Sequence, residues 1–306
     1  MRRAMNMIPT ILRYGFAGAV ALLAASPVSA EMEGPARLHE RYVTLEPKLR
    51  ASVFNAPIYI ESNDRDGLIR GEAYGVLPHA FTVFSATIQQ PAAWCDFATL
   101  HFNIKGCVYR SRTGSGILTI YSGGKQYEDP RNARRHEFLY TVRAATHDYL
   151  NILITSDDGP IDTSDYRIEV AAVALGNQTF AQVRFSYRYR TLTRMMSATY
   201  FATLGRNKIG FTVIDRDKDG NPVYIKGRSG GMERSVMRFY LGLQALFESL
   251  AQPESERFEW RIRRWYVLTD KYRRQLYELA QDEYLDTKRK ERASWLRLQS
   301  ELDSKR

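Results

Sequence analysis

Two cysteines, Cys95 and Cys107, are all that the 306 residues contain. That is too few for a small disulfide-stapled scaffold or a multi-cysteine zinc module. Long apolar runs are equally scarce. The most apolar stretch, Tyr14–Ala25, has 12 residues, against the roughly 20 needed to span a bilayer. Catalytic signatures are missing as well: there is no GxSxG, no HExxH and no CxxC, and the five histidines (His39, His79, His101, His136, His147) show no metal-ligand spacing. Ser115 in Gly114-Ser115-Gly116 has no neighbouring base, and Asp157, Asp158, Asp162 and Asp165 read as a solvated loop before a strand. No catalytic residue, metal site or cofactor is therefore implied, although a triad assembled in space leaves no such trace in sequence.

What the chain does have begins at its start. Met1–Arg13 is short and basic, Tyr14–Ala25 is apolar, and Val28-Ser29-Ala30 occupies the small-residue cleavage position. This is the layout of a secretory signal peptide cut after Ala30, and it points to a periplasmic product. Removing Arg2, Arg3 and Arg13 lowers the net charge from +10 to +7. Such a surface suits an anionic membrane surface or acidic glycans, whereas nucleic acid is not expected as a partner of an exported chain. In an oxidising compartment Cys95 and Cys107 are expected to pair. Closing that loop stabilises the fold by roughly 3 kcal/mol. His101 lies midway between them, but six-residue gaps without a fourth ligand are a poor zinc pattern.

Residues 31–56 are mixed and polar, with Pro35, Pro47 and Pro57 as breaks, and read as an N-terminal tether or a loosely docked N-terminal segment. Ile58–Glu61 and Leu68–Val76 read as strands around a polar turn, followed by short helices over Pro78–Gln89 and Ala92–Ala98. Six extended segments come next: Leu100–Tyr109, Gly116–Tyr121, Phe138–Ala144, Tyr149–Thr155, Tyr166–Ala174 and Phe180–Arg190. In the last, Phe185, Tyr187 and Tyr189 share one face while Arg184, Arg188 and Arg190 share the other. Thr191–Leu204 then reads as a helix rich in Met and aromatics, ending at Gly205.

Strand, two short helices, an antiparallel run and a closing helix make an order that resembles the START-like, or helix-grip, superfamily over about residues 58–204. The resemblance implies an α+β fold in which a curved antiparallel sheet grips a long helix. It also implies a hydrophobic ligand, such as a lipid, between sheet and helix. On this expectation Met195, Met196, Tyr200 and Phe201 face Phe138, Tyr140, Val142, Ile168, Val170 and Tyr187 across a cavity. The same residues would serve equally as a filled core, which composition does not distinguish.

The organisation expected is thus a signal peptide (1–30), a tether (31–56), a helix-grip domain (57–205) and a helical extension (206–306). In the extension, Asp215-x-Asp217-x-Asp219-Gly220 imitates the front of an EF-hand loop. Its twelfth position is Lys226 where a bidentate Glu is needed, so a polar hairpin turn is expected. Arg228-Ser229-Gly230-Gly231 reads as a flexible helix start, more than as an anion site. Glu254–Leu298 reads as one long helix with a heptad stripe, Phe258 through Leu279, and a polar tail left for solvent or a partner. An envelope scaffold acting through that tail is the alternative to a binding or carrier protein, and a hydrolase or isomerase on the same fold is a third reading.

Overall fold

The computed structural model describes residues 34–159, 163–203 and 205–304. The signal peptide and its cleavage point lie outside the described residues. Eight strands form one antiparallel sheet: β1 (Ile58–Arg65), β2 (Leu68–Leu77), β3 (Ile104–Arg112), β4 (Ser115–Ser122), β5 (Arg134–Ala145), β6 (Tyr149–Asp158), β7 (Thr163–Leu175) and β8 (Gln178–Tyr189), in the order β1-β2-β8-β7-β6-β5-β4-β3. Each expected strand is present. The β1–β2 turn is tighter than its polar sequence implies. Pairing runs to Arg65↔Leu68, and only Asp66 and Gly67 turn, both at positive φ. Asp-Gly is the dipeptide that this twisted two-residue hairpin favours.

The helices are α1 (Pro35–Arg50), α2 (Phe81–Ile88), α3 (Pro91–Ala98), α4 (Thr191–Ala202), α5 (Gly227–Ser249), α6 (Arg257–Asp270), α7 (Arg273–Leu276) and α8 (Gln281–Asp303). A short hairpin of β9 (Val213–Arg216) and β10 (Pro222–Tyr224) separates α4 from α5. The fold is α+β, an antiparallel sheet gripping a long helix, but that helix is α5 and not the Thr191–Leu204 segment expected to fill the role.

Two glycines explain why α5 comes so close. Gly71 and Gly75 lie four apart on β2, hence on one face. A Cβ on Gly71 would sit 2.5 Å from Met232 Cγ, and one on Gly75 would collide with the Tyr240 hydroxyl. Their missing side chains form a channel for α5. Its Met232, Val236, Met237, Tyr240, Leu243 and Phe247 join one continuous core with β1 to β8, α2, α3 and α6. The C-terminal segment is therefore part of the central core, not an appendage to it.

Three further expectations need correction. Residues 35–50 are a docked helix, not a tether: Leu38, Leu45 and Leu49 pack on Tyr74, Tyr149, Val173 and Phe180 of the opposite sheet face. Pro35 begins that helix at its first turn, where no N–H is required. The long helix is broken into three, with Tyr277 in extended conformation before α8. Finally, the polar tail is not left to solvent. Tyr284, Leu285, Thr287, Lys288, Glu291, Ser294 and Trp295 are buried where α8 meets β3.

The contact between α8 and β3 is partly ionic. Glu291 receives Lys105 at 2.9 Å and Lys288 at 2.8 Å, all three being almost inaccessible. Each ammonium also donates to backbone carbonyls: Lys105 to Phe102 and Gln126, Lys288 to His101 and Ile104. Burial brings Lys288 down to about 8 despite the pull of Glu291 in the other direction. Charged residues satisfied in this way carry no apolar stripe, which is why the segment looks solvent-facing in sequence.

Candidate functional site

The best candidate site is an apolar cleft between the inner face of the sheet, α3 and α5. Its floor is built by strand alternation: Leu118 and Ile120 on β4, Ile154 on β6, Ile168 and Val170 on β7, and Val183 on β8. Its roof is Trp94, Phe97 and Ala98 of α3 with Phe239 of α5. Cys107 contributes to the lining, and its disulfide to Cys95 ties the roof helix α3 to the edge strand β3. The Trp94 indole N–H is spent on the Ile88 carbonyl at 2.8 Å, which leaves the ring's apolar body for the cleft.

Beyond Phe239 the cleft meets a row of aromatic side chains, of which Tyr166, Phe185 and Tyr187 are only partly buried and Phe138 is buried. Tyr166 stacks on Tyr187 with centroids 5.1 Å apart, Phe138 meets Tyr166 edge-on at 6.4 Å, and Phe185 meets Phe239 edge-on at 6.0 Å. The Tyr166 hydroxyl bonds Thr163 Oγ1 at 2.9 Å. Burial pushes the Tyr187 phenol up to about 12, with Tyr166 and Asp64 adding to it, so the phenol stays protonated at neutral pH. His101 stacks on Phe239 at 6.0 Å. Burial first, and then the positive charges of Arg238, Lys288 and Lys105, hold it well below the ordinary histidine value, so it is neutral.

The enclosed space is small, about 30 Å³, room for roughly one or two waters. A ligand pocket usually offers about 300 Å³ or more. The cleft is therefore closed as it stands, and a guest of lipid size enters only if the aromatic row moves aside.

The expected site residues divide by element. Phe138, Tyr140, Val142, Ile168, Val170 and Tyr187 do share the inner face of the sheet. Tyr140 lies deeper and donates to the Gln89 carbonyl at 2.9 Å, stitching β5 to the end of α2. The helical half is displaced. Met195, Met196 and Tyr200 are exposed by 64, 48 and 38%, and α4 buries no residue. Only Phe201 turns inward, toward Gly231 at the start of α5. They do not face the strand residues, because α5 occupies the glycine channel first. Phe239 escapes the sequence pattern because it falls beside the α5 stripe. Trp94 and Phe97 escape it because α3 is too short for its apolar residues to mark one inward face.

No carboxylate lines the cleft among the described residues. The buried carboxylates are held elsewhere. Glu233 accepts from Ser62 Oγ, the Phe211 and Thr212 amides and Thr212 Oγ1 at 2.6–2.9 Å. Glu278 is the meeting point of Lys125, Lys208 and Arg238. Glu72 is gripped by Arg184, Tyr74 and Gln182 on the outer face. No group of three or more metal-ligating side chains occurs among the described residues. Asp217 of the EF-hand-like string turns its carboxylate onto the Asp219 and Asn221 amides, closing a hairpin turn. Arg228 binds Asp64 at 2.9 Å and covers the Tyr189 ring, so the Gly230-Gly231 segment is a packed helix start. No helix among the described residues is long and apolar enough to cross a membrane.

No protein-family profile matches the chain, and no curated protein does. Solved structures similar to it include a protein from Thermus thermophilus, at 9% identity and TM-score 0.38, covering 60% of this chain and 99% of that one. Another is a STAR-related lipid transfer protein from Xanthomonas axonopodis, at 8% identity and TM-score 0.35, covering 48% of this chain and 89% of that one. A third is an aromatase/cyclase from a Streptomyces species, at 9% identity and TM-score 0.35, covering 68% and 95%. These overlaps are slight, and the fold stands on the chain's own sheet and helices.

Proposed function

We propose that this is an exported binding protein for an apolar ligand, a lipid chain being the best fit, held between the inner face of the sheet and α5. One observation carries the reading: a cleft lined wholly by apolar side chains leads into a row of partly exposed aromatics. Tyr166, Phe185 and Tyr187 are partly buried side chains at the adjoining ends of the central strands β7 and β8, beside the cleft. Ring rotation of Phe185 and Phe239 converts the closed cleft into a pocket, and the apolar lining supplies affinity without a fixed charge. Export rests on the N-terminal sequence, and the Cys95–Cys107 bond suits an oxidising compartment.

The scaffold alternative loses its main support, since α8 is committed to β3 through Trp295, Tyr284 and the Lys105–Glu291–Lys288 cluster. The test is native mass spectrometry of protein isolated without detergent, followed by solvent extraction and titration with a fluorescent fatty acid. A bound apolar species, or saturable uptake that weakens when Val170→Trp fills the cleft, is the expected result. Protein that is empty and takes up no probe overturns the reading.

A further inference from the structure

Helix α4 has an exposed apolar stripe and no carboxylate in its own stretch of the chain. Met195, Met196 and Tyr200 recur at helical spacing and are exposed, with Leu192 on the same stripe one turn earlier. From Val170 to Ile214 the chain has six Arg or Lys and not one Asp or Glu. Three of these are already engaged: Arg184 with Glu72 and Glu169, Arg188 with Asp165, and Lys208 with Glu278. Arg190 and Arg206 flank α4, are exposed, and pair with no carboxylate among the described residues, whereas Arg194, inside the helix, lies over the Tyr189 ring at 5.8 Å. Helix α4 also starts just past the end of β8. Thr163 pairs with Tyr189 there, and Tyr166 and Tyr187 form the aromatic row nearby.

The geometry points to α4 as a membrane-docking helix: Met195, Met196 and Tyr200 enter the boundary between headgroups and acyl chains of an anionic bilayer while Arg190 and Arg206, at the two ends of the helix, meet the lipid phosphates. An apolar stripe flanked by arginines is the pattern of an interfacial helix. The absence of acidic residues sets the sign of the surface it accepts. Docking in this pose brings the aromatic edge of the cleft to the bilayer, so it extends the ligand-binding reading. The contact itself does not depend on the cleft being filled.

The experiment is flotation of the purified full-length mature protein with vesicles of phosphatidylcholine containing phosphatidylglycerol, and with phosphatidylcholine alone. Binding is expected only to the anionic vesicles and is weakened by salt. Arg190→Gln and Arg206→Gln together are expected to reduce it on the order of 30-fold. Met195→Ser with Met196→Ser is expected to reduce it about 10-fold, with the circular dichroism spectrum and Tm of both variants unchanged. Equal binding to neutral vesicles, no binding at all, or binding indifferent to both variant sets overturns the proposal. So does a change from dimer to monomer on Met195→Ser and Met196→Ser, which would make the stripe a contact with a second copy of the chain. Fatty-acid uptake that persists in the serine variant while flotation is lost separates failure of docking from failure of the cleft.

Discussion

Helices α4 and α5 both carry apolar residues at helical spacing, yet they lie at opposite extremes of burial. Helix α4 buries nothing, whereas α5 buries fifteen residues, three of them charged. The difference is not hydrophobicity but what waits on the other side. Gly71 and Gly75 make a channel that only a closely approaching helix can use, and Tyr240 fills it. The charged residues of α5 also have assigned partners. Glu233 gathers four donors, Arg234 donates to the Ile209 carbonyl at 3.0 Å, and Arg238 reaches Leu276 and Glu278. A helix becomes the gripped one through complementarity to the sheet, and its own stripe does not decide the matter.

The sharpest way to break the comparison is in the middle of α5. Met237 is fully buried, and Met237→Ala is expected to cost about 2–5 kcal/mol, read as a lowered urea midpoint with an unchanged m-value. A value near zero would mean that α5 is not the helix the sheet depends on. The glycine channel comes next. Gly75→Ala forces Tyr240 aside and is expected to cost about 1–3 kcal/mol. Adding Tyr240→Phe removes the hydroxyl in the way, so the double variant should recover part of that loss beyond additivity. Strict additivity would show that the two positions do not meet.

Much of the sheet was legible because its strands alternate with period two. Tyr166, Ile168 and Val170 on β7, and Phe185 and Tyr187 on β8, fall on the inner face as their spacing requires. Arg184 falls on the outer face, where Glu72 and Glu169 receive it. The choice of gripped helix was not legible, since its determinant is a pair of glycines on a strand remote in sequence. Helix α1 was masked by Pro47, which the last turn of the helix tolerates. The packing of α8 was masked because Lys105, Lys288 and Glu291 neutralise one another only once the chain has folded. Half of the candidate site was visible in strand alternation. The other half, Trp94, Phe97 and Phe239, depends on which helices form the roof.

A smaller effect tests the edge where α5 meets the cleft. His101 is neutral in the fold, held below the ordinary value by burial and by Arg238, Lys288 and Lys105. Its contribution is therefore fully present above about pH 6.5. Below that the unfolded chain takes up a proton that the folded one refuses. As pH drops, this group lowers stability by up to about 1.4 kcal/mol per pH unit. His101→Gln should flatten the stability profile between about pH 5 and 7, while leaving the profile above pH 7 parallel to that of the parent. An equally steep acid limb in the variant would assign the slope to other groups.

The smallest expected change belongs to α4, and its smallness is the informative result. Met195 and Met196 touch no core, so Met195→Ser with Met196→Ser should shift unfolding free energy by no more than about 0.5 kcal/mol, measured by urea titration without lipid. Serine is a somewhat weaker helix former, which accounts for a shift of that order by itself. A loss above about 2 kcal/mol would mean that the stripe is buried in solution and that α4 shares the role assigned to α5. A near-zero shift leaves the stripe with no task in holding the fold together. Arg190 and Arg206, exposed and without an ion pair among the described residues, then stand beside a stripe whose partner is a surface outside the protein.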